Sequence, residues 1–307
     1  MTGHLQQSIR SLAAALRDGT TTSVALAEEA IANHARFGTA LDAYKCRQDD
    51  RFLAEARAAD AAFAAGLDFG PLQGIPVSVK DLYGVAGYET FAGSPAALPE
   101  KWEQEGPVVG ALRAALAPVA GKTHTVEFAF GGVGSNAHWG TPRNPWDAAA
   151  HRVPGGSSAG AGVSLCEGSA LLALGSDTAG SVRVPASFTG NVGVKTSFGR
   201  WSLDGIVPLS PSLDTAGVLA RTVPDAVLAF AAIDPLTDIP GEALLAALSE
   251  LTAGDVHIGV CDHFFEGCDP GVAEGVQAAL DELAAAGAQI SKFDLPEAAA
   301  ADEIFMR

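Results

Sequence analysis

The sequence predicts a layered α/β domain, because helical and strand-like segments alternate along most of the chain. The helical segments carry apolar residues three and four positions apart, whereas the strand-like segments are short apolar runs near Gly or Pro. Of the 307 residues, 48% are hydrophobic and 18% are charged, which is typical of a chain with a substantial buried core. This composition excludes a disordered protein, and the length suits one large domain or two modest ones.

The predicted elements open with three helices, for which Thr20 to Ser23 supply N-cap side chains and Gly66 a stop. In chain order, the elements are helices Ser8–Arg17, Thr22–Phe37 and Asp49–Ala64, strand Gly74–Asp81, helix Pro107–Leu116, strand Ala117–Thr123, helices Pro224–Ala232 and Glu242–Leu251, strand Val256–Val260, helix Gly271–Ala286 and strand Gln289–Phe293. From Gly131 to Gly193 the chain is rich in Gly and Ser. Apolar runs such as Ala170–Leu174 interrupt these glycines, which favours tight turns and close backbone approach over a flexible linker.

The formal net charge is −17, which argues against binding to nucleic acid or to an anionic membrane, since phosphate contacts need clustered Lys and Arg. The acidity is uneven. Residues 1–223 hold 17 basic and 20 acidic side chains, and residues 224–307 hold 2 basic and 16 acidic ones. The charge therefore says little about a substrate, and it favours a soluble, peripheral C-terminal segment.

No signal peptide or membrane-spanning run is predicted, and the expected location is the cytoplasm. The four cysteines, Cys46, Cys166, Cys261 and Cys268, are few and irregularly spaced, which is typical of free thiols. A metal site around Cys261 and His263 is disfavoured because the chain has no CxxC pair and no second ligand cluster. We expect neither a metal nor a cofactor.

Four polar residues in three segments stand out as candidates for chemistry. Lys80 closes an apolar strand, Ser157 and Ser158 lie in a Gly-rich turn, and Ser181 lies in a second one. A serine needs a base within hydrogen-bond reach to become a nucleophile, and a lysine is such a base only when burial keeps it neutral. The turn before Ser181 could also direct successive backbone N–H groups at one point, as an oxyanion hole requires. Taken singly, a strand-end lysine is usually solvated and a Gly/Ser turn is usually only a turn.

Two other motifs are weaker. Gly156–Gly160 matches the GxSxG nucleophile elbow of α/β-hydrolases, with His257 or His263 downstream as a partner. The elbow should follow a strand directly, and His151–Pro154 is a poor strand end. A phosphate-binding module is also disfavoured, because the chain lacks GxxxxGK[ST] and Gly132–Gly134 lacks the third glycine of GxGxxG.

From the Gly74–Asp81 strand to about Arg221, the chain strongly resembles the amidase signature family of serine amidohydrolases. The motifs that carry the resemblance are Gly121-Lys122-Thr123, Glu127-Phe128-Ala129, Ser135-Asn136, Gly140–Pro145, Pro154–Gly160, Gly175–Ser187, Gly193–Thr196, Gly199-Arg200 and Ser212–Thr215. The resemblance implies a mixed, twisted central β-sheet sandwiched between α-helices. It also implies a single domain, with N-terminal helices in 1–66, a catalytic signature core in 67–223 and an acidic, helix-rich segment in 224–307.

The resemblance implies a Ser–cis-Ser–Lys triad, in which Ser181 is the nucleophile, Ser157 the bridging serine and Lys80 the base. Ser157 would follow a cis peptide bond. The implied oxyanion hole consists of the backbone N–H groups of Thr178, Ala179, Gly180 and Ser181. The positions that match supporting residues of the family are Ser158, Asp177 and Arg183.

The implied activity is hydrolysis of a carboxamide or ureido C–N bond in a small molecule, with homodimerisation left open. The alternatives are the A-type subunit of a glutamine-dependent amidotransferase and a catalytically inactive scaffold. The usual signature has Gly-Gly before the nucleophile, but this chain has Ala179-Gly180, which is reminiscent of the branch that acts on allophanate-like ureido acids. If that backbone needs a positive φ, the alanine costs stability. The family domain is longer than 307 residues, so we expect its C-terminal part to be missing.

Overall fold

The computed structural model describes residues 3–301 and shows alternating helices and strands. The helices are α1 Ile9–Asp18, α2 Ser23–Leu41, α3 Asp49–Ala64, α4 Pro107–Ala114, α5 Ala159–Glu167, α6 Arg183–Thr189, α7 Val223–Ile233, α8 Gly241–Ser249 and α9 Pro270–Ala285. The strands are β1 Tyr44–Cys46, β2 Val77–Lys80, β3 Val119–Thr123, β4 Leu172–Asp177, β5 Val192–Lys195, β6 Thr215–Ala220, β7 His257–Val260 and β8 Gln289–Lys292. The mixed α/β fold predicted from the sequence is confirmed.

The predicted helices and strands are present with bounds that differ by a few residues, and α3 has the predicted bounds. Thr22 caps α2 by accepting a hydrogen bond from the N–H of Ala25, as its side chain suggests. Six elements were not among the predicted ones: the short β1, and α5, β4, α6, β5 and β6 in or near the Gly-rich region. All four cysteines are free thiols. Within residues 3–301, no helix has both the length and the apolar character needed to cross a membrane.

The chain divides into two compact units, one ending at Leu245 and the other starting at Ala246. The first unit holds a mixed six-stranded sheet with the order β1-β3-β2-β4-β6-β5. Strand β2 is parallel to both β3 and β4, whereas β1, β6 and β5 pair antiparallel to their neighbours. The second unit holds the parallel pair β7–β8 and α9. The single domain suggested by the sequence stays a prediction.

Helices cover both faces of the central sheet. On one face, Ala173 and Leu219 pack in a small apolar cluster with residues of α5 and α6. Side chains on the other face of β4 and β6, such as Leu174, join the main core, which includes Leu228 and Ala229 of α7. Burial of these apolar surfaces is the main favourable contribution to folding.

A buried ion pair joins β3 to the end of β2. The Nζ of Lys122 lies 2.8 Å from Oδ1 of Asp81, and both side chains are at most 1% exposed. Lys122 also donates to Oγ1 of Thr90 at 2.6 Å, and Asp81 accepts the N–H of Phe91 at 3.2 Å. These hydrogen bonds satisfy charges that would be costly to bury alone. They also fix the backbone directly after Lys80.

Candidate active site

Lys80, Ser157 and Ser181 come together at the carboxyl ends of β2 and β4. These two strands are parallel neighbours, so both end at the same edge of the sheet. Ser157 and Ser158 directly precede α5, and Ser181 lies in the turn between β4 and α6. Helix α5 is held against β2 by a 2.9 Å hydrogen bond between the hydroxyls of Ser164 and Ser78. The fold thereby brings together residues that are far apart in the sequence.

Lys80 is completely buried and contacts two serines. Its Nζ donates to Oγ of Ser157 at 2.7 Å and to Oγ of Ser176 at 3.0 Å. Burial lowers the pKa of Lys80 from 10.5 to about 7, although Asp177 and Asp214 oppose this shift. A large fraction of these amines is therefore neutral near pH 7 and able to accept a proton.

Ser157 lies where two backbone segments approach closely. The Gly156–Ser157 peptide bond is cis, and the N–H of Gly156 donates to the carbonyl of Gly132 at 2.8 Å. A Cβ on Gly156 would lie only 2.6 Å from the nitrogen of Gly134, so no larger residue fits here without displacing backbone. The carbonyl of Ser157 accepts the N–H of Val126 at 3.1 Å. The backbone of Ser157 is thus fixed by hydrogen bonds both at the residue before it and at its own carbonyl.

Asp177 organises the turn that carries Ser181. This buried carboxylate accepts the N–H groups of Gly180 at 2.7 Å and Val182 at 3.1 Å. Arg183 adds a bidentate contact, with Nη2 and Nε at 2.9 and 3.0 Å from the two carboxylate oxygens. Burial alone would raise the pKa of Asp177, but the hydrogen bonds from Arg183, Gly180 and Val182 bring it below its ordinary value.

The four N–H groups predicted for an oxyanion hole are not equivalent. The N–H of Gly180 is already used by Asp177. Within residues 3–301, those of Thr178, Ala179 and Ser181 donate to no protein acceptor. Ala179 does not have a positive φ, whereas Gly180 has a φ of +117°. The alanine therefore carries no backbone cost in this conformation, and the requirement for glycine lies one residue later.

Ser158 holds the backbone of Ser181. Both its hydroxyl and its N–H donate to the carbonyl of Ser181, the N–H at 3.2 Å. Ser181 is 8% exposed, so it is slightly more accessible than the fully buried Lys80 and Ser157. Lys80 and Ser157 are joined directly, whereas no hydrogen bond joins the hydroxyls of Ser157 and Ser181.

Sequence reasoning missed two residues that contact this cluster. Ser176 accepts a hydrogen bond from Lys80. Its place at the end of β4, one residue before Asp177, is the signal that could have identified it. Asp214 accepts the hydroxyl of Thr178 at 2.5 Å. It lies in the Ser212–Thr215 motif, which was used only as a mark of resemblance.

Comparisons with known proteins give the family. A family model described as "Amidase" matches residues 25–307. A 2-amino-5-chloromuconic acid deaminase from Comamonas testosteroni is 56% identical over 301 residues, which cover 98% of this chain and 64% of the relative. The A-type subunit of the glutamyl-tRNA(Gln) amidotransferase from Koribacter versatilis is 37% identical, over 92% of this chain and 60% of the relative.

Solved structures agree with this family. A crystal structure of an amidase is 35% identical with a TM-score of 0.86, covering 98% of this chain and 66% of that one. The native peptide amidase from Stenotrophomonas maltophilia is 30% identical with a TM-score of 0.84, covering 98% and 64%. The chain thus spans between 60% and 66% of the length of these four relatives. One family model matches most of the chain, and a relative is 56% identical across nearly all of it, so the chain belongs to the amidase family.

Proposed function

We propose that the protein hydrolyses a carboxamide or ureido C–N bond of a small molecule through an acyl-enzyme on Ser181. Ser157 would relay the proton, and neutral Lys80 would be the base. The observation that carries this proposal is the 2.7 Å contact from a fully buried lysine to Ser157 at the strand edge where Ser181 lies. A lysine with a pKa of about 7 suits a general base that works near neutral pH.

The proposed reaction starts with proton transfer. Neutral Lys80 takes the proton of the Ser157 hydroxyl while Ser157 takes that of Ser181, and the Ser181 oxygen attacks the carbonyl carbon. The contact between the two serine hydroxyls would form with substrate bound, since catalytic hydrogen bonds often tighten only in the complex. The C–N bond then breaks, and the relay returns the proton to the leaving nitrogen as ammonia or an amine. Water, activated by the same relay, hydrolyses the ester and frees Ser181.

Negative charge on the carbonyl oxygen would be stabilised by the free N–H groups of Thr178, Ala179 and Ser181. Removing one such donor typically costs about 10²–10³ in rate. The N–H of Gly180 has a different part in this proposal, since its bond to Asp177 fixes the turn. Arg183 and Ser158 support the same turn without touching the reacting atoms.

Ser181→Ala and Lys80→Ala test the proposal in the full chain. Each variant should lose at least about a thousandfold of the amide turnover, because nucleophile and base act as a unit. Ser187→Ala is the matched control, since Ser187 is an exposed serine of α6. A fluorophosphonate probe should label the wild-type protein at Ser181. Full turnover in either site variant would contradict the proposal.

The relative from Comamonas testosteroni favours a second candidate reaction, the release of ammonia from an amino-substituted unsaturated acid. In that reaction the enamine would tautomerise to the imine, and the Ser181 oxygen would add to the C=N carbon. Ammonia would then leave with a proton from the relay, and water would release the product as an oxo acid. An assay of ammonia release with aliphatic amides, aryl amides, ureido acids and 2-amino-5-chloromuconate separates the candidates. Turnover of 2-amino-5-chloromuconate alone would favour the deaminase.

The amidotransferase relative favours a third candidate, in which ammonia from glutamine passes to partner subunits. Glutaminase activity that rises on addition of partner subunits, with little hydrolysis of simple amides, would support it. The inactive scaffold predicts no labelling of Ser181 at all. We also propose a cytoplasmic location, which the four free thiols support. A homodimer is a further proposal, which sedimentation of the purified chain would test.

A further inference from the structure

Asp214 is a buried carboxylate whose two oxygens bind different parts of the chain. Oδ1 accepts the hydroxyl of Thr178 at 2.5 Å. Oδ2 accepts the N–H groups of Leu209 and Ser210 at 2.9 and 3.0 Å. Asp214 therefore ties the turn before β6 to the first residue of the turn that carries Ser181.

The tie lies directly beyond the last pair of the β4–β6 ladder. Asp177 is opposite Thr215 in that ladder, and the hydroxyl of Thr215 donates to the carbonyl of Asp177 at 2.7 Å. The next contact outward is the one between Thr178 and Asp214. Two consecutive side-chain hydrogen bonds thus extend the strand pairing into the turn, and they restrict where the N–H of Thr178 can point.

Asp214 and Asp177 carry the same charge, but only Asp177 has a cationic partner. Asp177 is neutralised by the bidentate contact with Arg183. Among residues 3–301, no Lys, Arg or His lies within 4.0 Å of the Asp214 carboxylate, which is satisfied only by uncharged donors. Burial lowers the pKa of Lys80, and Asp177 and Asp214 both raise it, so the field of Asp214 reaches this amine. Both carboxylates therefore favour the protonated form of Lys80, and of the two Asp177 has the larger effect.

We propose that Asp214 is a positioning residue for the proposed hydrolysis: it fixes Thr178, and its carboxylate stabilises the ammonium that Lys80 becomes when Ser181 attacks. This inference rests on the proposed function. It adds to the triad a fourth side chain that touches neither the substrate nor the reacting atoms.

The test measures the rate at which a fluorophosphonate labels Ser181 as a function of pH. It compares the wild-type chain with single-residue variants of the full chain. In Asp214→Asn, the rate at high pH should fall at least tenfold, and the acid limb of the profile should move to lower pH. The limb moves in this direction because Lys80 loses a neighbour that favours its protonated form. In Thr178→Val the rate should fall while the acid limb stays in place, since the charge remains.

Two further variants complete the design. Asp204→Asn is the matched control, because Asp204 is exposed in the preceding turn and has no contact with Thr178; its profile should equal that of the wild type. Asp214→Glu keeps the charge and moves the carboxylate, so it should react slowly with an unshifted acid limb. This variant also covers the case in which Asp214→Asn does not fold, which a thermal melt would reveal.

Three results would overturn the inference. These are an Asp214→Asn profile equal to the wild type, a slow Asp214→Asn protein with an unmoved acid limb, and an acid limb shifted in Asp214→Glu. The second result would leave Asp214 a structural role only. If the wild-type protein is not labelled at Ser181 at any pH, the proposed function itself fails, and this inference fails with it.

Discussion

At the scale of the residue, the feature with the largest consequences is the amine of Lys80 in the interior. Its contacts are two serine hydroxyls, which cannot neutralise a charge. Protonation in the folded state is therefore unfavourable, and burial lowers its pKa from 10.5 to about 7. The same burial that would suit Lys80 to its proposed role as a base costs stability at any pH where the unfolded chain would carry the proton.

Replacing Lys80 by Met should show this cost directly. Between about pH 7, the folded pKa, and 10.5, the unfolded value, the unfolded wild-type chain binds one more proton than the folded one. Wild-type stability therefore falls as the pH falls through this window, and the Lys80→Met variant lacks this loss. The difference in free energy of unfolding should grow in favour of the variant by up to about 1.4 kcal/mol per pH unit. Urea denaturation across the window measures it, and a difference independent of pH would contradict the lowered pKa.

At the scale of the element, the turn between β4 and α6 depends on one glycine. Gly180 has a φ of +117°, and an added Cβ would lie 3.0 Å from Cγ2 of Val184. Its neighbour Ala179 has an ordinary φ and an exposed side chain. The requirement for glycine is therefore local to one position of the pair.

Gly180→Ala should slow labelling of Ser181 at least tenfold, because the turn must move to relieve backbone strain of about 1–3 kcal/mol. Ala179→Gly is the paired control and should stay within about threefold of the wild type, since it only adds backbone freedom. Labelling rates on folded protein, verified by circular dichroism, give the comparison. A wild-type rate in Gly180→Ala would show that the conformation of this turn does not matter.

The pairing of β2 with β3 leads to a second prediction at this scale. Lys122→Met should lower the free energy of unfolding by about 3–5 kcal/mol, since it leaves the Asp81 carboxylate buried without its cation. Adding Asp81→Leu should recover at least half of the loss. Arg10→Met breaks an exposed pair with Glu242 and should cost less than about 1 kcal/mol. Equal costs for Lys122→Met and Arg10→Met in urea denaturation would contradict the role assigned to the buried pair.

At the scale of the whole molecule, the unit that ends at Leu245 contains the six-stranded sheet and every residue of the main core. It also contains all of the proposed site residues. A chain that ends at Ser249, which keeps α8 whole, should therefore unfold in one cooperative thermal transition. A chain that ends at Thr189 lacks β5 and β6 and should not. A broad, non-cooperative thermal transition for the longer chain would show that the core needs the second unit to fold.

Regular periodicity was enough to predict some elements and not others. Helix α3 has the predicted bounds, because apolar residues recur three and four positions apart between Phe52 and Phe63 and no Gly or Pro interrupts the segment. Helix α6 was missed because its seven residues include Pro185 and follow a Gly-rich turn. Strand β6 was missed because Gly217 interrupts an otherwise apolar run. Neighbouring strands supply the hydrogen bonds that decide such segments, and periodicity does not show them.

The main residues of the candidate site could be predicted from the sequence, but several of their contacts could not. The choice of Lys80, Ser157 and Ser181 rested on the requirement of serine for a base and on ordered motifs, although 77 residues separate the lysine from Ser157. The bond from Gly180 to Asp177 and the contact between Thr178 and Asp214 depend on the backbone path of two turns. Residue types alone do not specify such a path, so these contacts could not be predicted.

The complete burial of the Lys80–Ser157 pair has a consequence for proton traffic. Neither side chain is exposed, and Ser176, the other partner of the amine, is 5% exposed. In the proposed reaction, a proton taken up by Lys80 would therefore have no direct path to bulk water. It would leave through Ser157, once substrate binding brings the hydroxyls of Ser157 and Ser181 within hydrogen-bond distance. The proton removed from Ser181 would stay on Ser157 or Lys80 until it is transferred to the leaving nitrogen. In such an arrangement, the proposed base would exchange its proton with the substrate more readily than with buffer molecules in solution.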